Sequence, residues 1–210
     1  MVRNHLGNFT DPKYIPAMLP VPKLKFSEPR HNLPGRKGVA TAEDRFTIAF
    51  ARAYSEKAVS LHAGSLKTEM AVAREIPVPG FGIADLLAVS WNPDASGAAT
   101  LDEFVDGSGF TSRAFEVKLD DWKSGLSQAT RYRFFAHQSI LVLPPATCER
   151  ALVFIDTFTK VRIGLWSFDA ATGRITAFHT PRALAPKSPR SHRVALEKMN
   201  RAARQALPIG

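Results

Sequence analysis

Two carboxylates and one ammonium are the residues of this chain whose types and order could do chemistry on a phosphate. Asp85 is the one charged side chain of an apolar segment, and Glu116 and Lys118 follow farther along, two residues apart. Carboxylates hold hard cations such as Mg²⁺, and a positive charge nearby can stabilise a phosphate whose negative charge is growing. This set is suited to metal-dependent cleavage of phosphodiester bonds, and the polar residues Gln128 and Tyr132 complete it.

Two strands must position the charged residues. From Arg113 onwards the sequence alternates with a period of two, which puts Glu116 and Lys118 on the same face of a strand. Residues 83–89 are almost continuously apolar, which is typical of a strand buried on both faces near the middle of a sheet. A carboxylate in such a strand, Asp85, is costly unless it has a partner.

A helix must present the polar pair. Residues 121–137 have apolar side chains at helical spacing, namely Leu126, Ala129, Phe134 and Phe135. Gln128 and Tyr132 are four positions apart and therefore lie on one side of this helix. That polar side could face the carboxylates.

The ordered set Asp, Glu-x-Lys, Gln-x-x-x-Tyr, with the first two on strands and the third on the following helix, resembles the PD-(D/E)XK nuclease superfamily. Residues 115–144 are most similar to its RecB-type and Holliday-junction-resolvase-type members, and residues 161–166 with 173–175 resemble their late hairpin. The resemblance covers roughly residues 41–180. It implies an α/β fold with a restriction-endonuclease-like core, in which helices flank a central mixed β-sheet.

The resemblance also implies roles for the charged residues. Asp85 and Glu116 would be ligands of Mg²⁺ or Mn²⁺, and the backbone carbonyl of Val117 would be a third candidate ligand. Lys118 would orient the attacking water or stabilise the pentavalent phosphate. These are expectations from the family pattern.

Further side chains enter by the same resemblance. Gln128 and Tyr132 would position Lys118 or the scissile phosphate. Many relatives also use a Glu from the first helix, and Glu43 is the best-placed candidate for this further metal ligand, ahead of Glu56 and Glu75.

The sequence departs from the family pattern in two places. Ala84 stands where the superfamily name has Pro, a common substitution that leaves the carboxylate of Asp85 in place. The Gly/Ser/Asp-rich segment 92–109 lengthens the gap between Asp85 and Glu116. If this insertion shifts the strand register, Asp85 is misplaced.

Each charged residue also has a purely structural interpretation. Asp85 could be a hydrogen-bonded residue at the end of a strand, after the turn at residues 77–82. Glu116 and Lys118 could form a solvated strand face. The sequence leaves these interpretations open beside the catalytic one.

Residues 41–60 predict an amphipathic helix whose inward stripe belongs to the core rather than to a base-stacking surface; the stripe is Phe46, Ala49, Phe50, Ala53 and Tyr54. Thr41 and Asp44 have the spacing of a capping box at its start. Glu43 could therefore simply be an acid of the first turn, favoured by the helix dipole.

The chain has 210 residues, 45% of them hydrophobic, which is enough for one α/β domain with extensions. We expect a Pro-rich basic arm over residues 1–40, the nuclease-like domain over 41–180 and a basic tail over 181–210. Further strands are expected at residues 70–77, 139–143, 151–155, 162–168 and 174–178. Residues 191–206 predict a basic amphipathic helix that could lie along DNA, dock on the core or a second copy, or fray.

The net charge of +9 is concentrated at the two ends of the chain. Residues 1–40 carry +5 and residues 181–210 carry +6, which leaves −2 for the middle. Basic extensions favour a polyanion, because each neutralised phosphate releases counterions. We therefore expect a nucleic acid as the partner, and the resemblance to the nuclease superfamily implies DNA before RNA.

The single Cys148 excludes an intramolecular disulfide and offers no zinc spacing, so the chain fits a reducing compartment. The N-terminus has no apolar signal region and no apolar stretch approaches a membrane span, so the expected location is the cytoplasm without membrane contact. The sequence leaves open whether the protein forms a homodimer. The sequence shows neither a Gly-rich phosphate loop with a Lys nor a nucleophile elbow that would mark a rival chemistry.

The expected function is a deoxyribonuclease that depends on Mg²⁺ or Mn²⁺. One alternative is a non-catalytic DNA-binding or assembly module of the same fold. Another is an RNA-processing nuclease, which differs only in its substrate.

Overall fold

The structure is a computed structural model and describes residues 41–62, 69–91 and 109–205. Over these residues the fold is α/β, with a six-stranded mixed sheet flanked by helices, as the sequence predicts. The strands are β1 (Glu69–Val78), β2 (Gly82–Trp91), β3 (Phe110–Val117), β4 (Gln138–Leu143), β5 (Gly164–Asp169) and β6 (Arg174–His179). The helices are α1 (Ala42–His62), α2 (Trp122–Tyr132), α3 (Pro145–Leu152), α4 (Ile155–Val161) and α5 (Pro189–Gln205).

The strands lie side by side in chain order. β1, β2 and β3 form an antiparallel meander, β4 and β5 run parallel to β3, and β6 returns antiparallel to β5. Each parallel pair needs a crossover connection, which α2 supplies between β3 and β4, and α3 with α4 between β4 and β5. The expected arm at residues 1–40 and residues 92–108 of the expected insertion lie outside the described residues.

Helix α1 begins with the capping box that its sequence predicts. The amide of Asp44 donates to the hydroxyl of Thr41 at 3.0 Å, and the amide of Thr41 donates to the carboxylate of Asp44 at 2.9 Å. Its apolar side packs on one face of the sheet, where Phe50 meets Phe115 edge-on with ring centroids 5.3 Å apart. The expectation that these aromatic residues belong to the core is confirmed.

The other face of the sheet is covered by α2, α3, α4 and α5. Ala195, Leu196 and Met199 of α5 pack with Ala73 and Ile76 of β1 in one apolar cluster. Of the alternatives left open for this basic helix, docking on the core is the arrangement found. None of the helices in the described part of the chain is long and apolar enough to cross a membrane.

The strand predicted at residues 151–155 is wrong. These residues lie instead at the end of α3, in the turn after it and at the start of α4. Pro144 is extended and Pro145 occupies the first turn of α3, where a missing N–H costs nothing. Val153 is 81% exposed, so an apolar, β-branched residue that favoured a strand has no core to enter.

The helix predicted over residues 121–137 is shorter than expected and ends at Tyr132. The amides of Phe134 and Phe135 donate to the carbonyls of Arg131 and Tyr132, three residues back, which tightens the chain into a turn. This turn feeds directly into β4 at Gln138.

Candidate active site

Strands β2 and β3 stop pairing just where the acidic residues stand. Their ladder runs from Trp91 opposite Phe110 to Leu86 opposite Phe115, and the next step would set Asp85 opposite Glu116. Instead, the Asp85 carboxylate accepts a hydrogen bond from the N–H of Val117 at 2.8 Å. A side-chain oxygen of β2 thus accepts the hydrogen bond of a β3 backbone amide. This bond fixes the Asp85 carboxylate beside the end of β3.

Glu116 is a buried carboxylate with two partners. It is 1% exposed and lies on the face of β3 that α2 covers. One oxygen accepts from the ammonium of Lys118 at 2.9 Å, and the other accepts from the hydroxyl of Tyr132. Because buried charges are tolerated only when paired and hydrogen-bonded, these contacts explain how the core holds this acid.

Lys118 joins acids that come from two different elements. Its backbone N–H still donates to Val142 of β4 at 3.1 Å, so the residue stays in the sheet. Its ammonium contacts Glu116 and also, at 3.3 Å, the carboxylate of Glu43 in the first turn of α1. Burial would lower the pKa of Lys118, but Glu116, Glu43 and Asp85 outweigh it and raise that pKa. The side chain is therefore a stable cation.

The two acids of the strands are harder to ionise than ordinary carboxyl groups. Burial, reinforced by the charge of Glu116, raises the pKa of Asp85 to about 7. Burial also raises the pKa of Glu116, although the hydrogen bonds from Tyr132 and Lys118 oppose the shift. Neighbouring acids whose pKa values are raised by burial are typical of candidate functional sites.

Tyr132 ties the helix to both strands. Its hydroxyl contacts Glu116 of β3 and lies 2.6 Å from the carbonyl oxygen of Ile83 in β2. Burial and the negative charge of Glu116 raise the pKa of Tyr132, so the phenol keeps its proton and donates it. The contact partner for the tyrosine is thus a carboxylate, whereas the sequence pattern implied Lys118 or a phosphate.

Gln128 lies one turn before Tyr132 and is half-buried. Its side-chain amide donates to the hydroxyl of Ser124 on the same helix at 3.0 Å. In the part of the chain that the structure describes, it is hydrogen-bonded neither to Lys118 nor to either strand carboxylate.

Gly125 of α2 is a site residue that the sequence interpretation missed. A Cβ at this position would lie 2.7 Å from Leu141 Cδ1 and 2.8 Å from Lys118 Cγ, distances that real Cβ atoms do not show. The glycine therefore lets the stem of Lys118 pass directly beneath the helix. A glycine inside a helical pattern was the available signal, because such a residue is unfavourable without a packing reason.

The other acids considered for the site are placed elsewhere. Glu75 lies in β1 with a positive φ of 54° and contacts its neighbour Arg74 at 3.6 Å. Glu56 is exposed on α1. Of the three, Glu43 is the acid that contacts Lys118.

The donor set fits a small hard cation. Asp85 and Glu116 supply carboxylate oxygens, and Val117 lies between Glu116 and Lys118 with its N–H held by Asp85. Within the described ranges, no three His, Cys, Asp or Glu side chains converge in a group that could hold a metal ion. Mg²⁺ commonly uses only one or two carboxylates together with water and substrate phosphate, so a pair of acids is a sufficient protein contribution.

No protein-family model matches this chain, and a search of curated proteins finds no match either.

Proposed function

We propose that the protein is a metal-dependent nuclease that hydrolyses DNA phosphodiester bonds on a restriction-endonuclease-like core of the PD-(D/E)XK type. The observation that carries the proposal is the meeting of Asp85, Glu116 and Lys118 at the point where β2 and β3 stop pairing. Two coupled acids and one permanent cation have the charges that binding a divalent metal ion and a phosphate requires.

Asp85 and Glu116 would hold Mg²⁺ or Mn²⁺, with the carbonyl of Val117 as a further ligand. When bound, the cation would polarise the phosphate and lower the pKa of its water. Lys118 supplies a second positive charge for the pentavalent phosphate, and its elevated pKa keeps that charge at neutral pH. Glu43 orients the ammonium, while Tyr132 fixes the carboxylate of Glu116 against rotation.

Charge supports a nucleic acid as the substrate, and the resemblance to the PD-(D/E)XK superfamily puts DNA before RNA. The chain carries a net charge of +9, and basic residues dominate both ends of the sequence. Phosphate neutralisation by such residues would bring a polyanion to the site. An RNA substrate would use the same residues, so DNA and RNA of identical sequence should be compared in one assay.

One observation favours a second candidate, a non-catalytic DNA-binding module. Both oxygens of Glu116 already have partners inside the protein, so the cluster of Glu116, Lys118 and Tyr132 could be a purely structural ion-pair network. Such a module would bind DNA with a steep salt dependence but would not cut it.

Cleavage of a panel of linear, branched, single-stranded and mismatched DNA, with and without Mn²⁺, separates the two candidates. We expect metal-dependent cutting that chelation abolishes. Asp85→Asn, Glu116→Gln and Lys118→Ala should each lower the rate about 100-fold or more, because each removes a charge that acts on the transition state.

Lys123→Ala is the matched control, since Lys123 is an exposed lysine on α2 whose ammonium lies over the Trp122 ring. This variant should keep its cleavage rate. Undiminished cutting by all three site variants would remove the active site as proposed, and salt-sensitive binding of DNA without any cleavage would establish the binding module.

A further inference from the structure

A cavity that is separate from the acidic site is lined by basic residues. It has a volume of about 180 Å³ and lies where α2 turns into β4, beside the start of β5. Its charged lining residues are Arg133, Arg162, Arg182 and Lys187. In the described ranges none of the four has a carboxylate within ion-pair distance. Four neighbouring cations repel one another, so an anion between them would be stabilising.

The cavity is held together by hydrogen bonds rather than formed by a loose surface loop. The amides of Leu184 and Lys187 donate to the carbonyls of His137 and Arg133, both at 3.1 Å. The side chain of Gln138 donates to the carbonyl of Pro181 at 2.6 Å. The segment 181–187 is thereby fastened across the turn between α2 and β4, so the basic residues on both sides of the cavity have fixed backbones.

Two of the arginines show particular arrangements. The guanidinium of Arg133 donates to the carbonyl of Val161 at 2.9 Å, which holds its side chain against the end of α4. Arg162 ends α4 in the left-handed conformation, with φ 57° and ψ 46°. Glycine or asparagine usually occupies this position because other side chains are disfavoured there. An arginine at such a backbone position is consistent with a role for its charge.

His137 also lines the cavity, and its imidazole is neutral. Its Nδ1 accepts a hydrogen bond from the backbone N–H of Ser112 at 3.1 Å, so the ring proton must reside on Nε2. The imidazole therefore adds no charge to the cavity. No acidic side chain is among the residues that line the cavity.

The size of the cavity limits what it can hold. Pockets for whole organic ligands usually measure about 300 to 1,000 Å³, so a complete nucleotide would not fit inside. A tetrahedral anion with its nearest substituent would fit, and arginine is well suited to recognising phosphate through paired N–H groups. We propose that this basic cavity binds a phosphate group through Arg133, Arg162, Arg182 and Lys187.

The experiment measures phosphate binding by calorimetry on the metal-free, full-length protein. Inorganic phosphate should bind, and Arg162→Gly and Arg182→Ala should each weaken it about tenfold. Arg162→Gly is the sharper variant, because it removes the charge while relieving the left-handed backbone, so the protein should fold at least as well as the wild type. Lys160→Ala is the control, since this lysine is exposed on α4 but does not line the cavity.

The source of the phosphate is resolved by two oligonucleotides of one sequence, with a 5′-phosphate or a 5′-hydroxyl, used as competitors. Preference for the phosphorylated strand would assign the cavity to a strand end, and equal competition would assign it to internal phosphodiesters. If neither oligonucleotide competes with inorganic phosphate, the cavity would be assigned to free phosphate. In each of these cases, Arg162→Gly should still weaken phosphate binding about tenfold.

Absence of phosphate binding, or equal weakening by Lys160→Ala, would overturn the inference. Because the readout is binding without metal, that failure would leave the proposed cleavage activity untouched. Conversely, if the protein does not cleave DNA, the phosphate binding expected here would be unchanged.

Discussion

The carboxyl group of Asp85 is placed where ionisation is unfavourable. Burial and the neighbouring charge of Glu116 raise its pKa to about 7, well above that of an ordinary aspartate. Between about pH 4 and pH 7, Asp85 is therefore protonated in the folded protein but ionised in the unfolded chain. The contribution of protonated Asp85 to the free energy of unfolding is present at low pH and is lost as the pH rises through the pKa of about 7 in the folded state.

Asp85→Asn should for this reason stabilise the metal-free protein at pH 8. Asparagine keeps an oxygen that can accept the Val117 N–H, but it carries no charge to desolvate. The free energy of unfolding, measured with denaturant, should rise by about 4 kcal/mol at pH 8 and change little at pH 4. Equal effects at both pH values would contradict the raised pKa.

The grouping of acids and lysine could be predicted from the sequence, whereas the partners of the helix residues could not. A period of two fixes the face on which Glu116 and Lys118 lie, so their contact at 2.9 Å agrees with the pattern. A helical period shows only which side of the helix a residue lies on, and not which atoms it contacts. It could not decide that Tyr132 would meet Glu116 while Gln128 would bond within its own helix.

At the scale of elements, the approach of α2 to the sheet sets the position of Lys118. Gly125 is the point of closest approach, because its missing side chain leaves room for Leu141 and for the stem of Lys118. The start of the helix is fixed independently by Asp121, whose carboxylate accepts from the amide of Ser124 at 3.0 Å. This cap fixes the residue at which the helix begins.

Gly125→Ala should displace Lys118 and lower activity. Alanine favours a helix by about 1 kcal/mol over glycine, but overpacking against Leu141 and Lys118 costs about 1 to 3 kcal/mol. We expect a net loss of stability by thermal denaturation and a cleavage rate reduced about tenfold or more.

Ser127→Ala is its matched control, because Ser127 is exposed on the same helix. That variant should be neutral or slightly stabilising and fully active. Full activity of Gly125→Ala would show that the close approach does not matter for the site.

The segment between β4 and β5 shows why an apolar run can mislead. Residues 151–155 contain Val153, Phe154 and Ile155, and such residues favour strands when a sheet surface is available to them. Here Pro145 starts a helix first, and Phe154 packs its ring 5.1 Å from that of Trp122 beside α2. The helix start at Pro145 and the packing of Phe154 decided the outcome, and nothing within residues 151–155 reveals it.

At the scale of the whole molecule, two histidines join parts of the chain that are far apart in sequence. His137 lies just before β4 and accepts from Ser112 of β3, while His192 of α5 makes a 2.6 Å hydrogen bond to the carbonyl of Phe135. Their rings meet edge-to-face with centroids 5.0 Å apart. Burial, with the charge of His192, lowers the pKa of His137 to about 4, and burial lowers the pKa of His192.

Acid should therefore destabilise the protein through this pair. Because the folded-state pKa is below the unfolded value of about 6.5, the stabilisation is complete above pH 6.5 and is lost as the pH falls towards 4. For His137 the free energy of unfolding should fall by about 2 to 3 kcal/mol across that range.

The measurement is denaturant unfolding at several pH values, with His137→Asn as comparison. Asparagine offers an oxygen to the Ser112 amide but does not titrate, so its profile should be flatter. Identical profiles for the two proteins would contradict a neutral, buried His137.

The outermost strand of the meander is covered by the final helix. β1 begins at Glu69, yet the apolar side chains of its α5-facing side are met by residues 195–199, near the other end of the described chain. During synthesis the sheet can assemble as soon as β6 has emerged, but this side of β1 stays uncovered until α5 has also left the ribosome. In that interval the nascent sheet exposes an apolar surface on its outermost strand, to which a chaperone could bind.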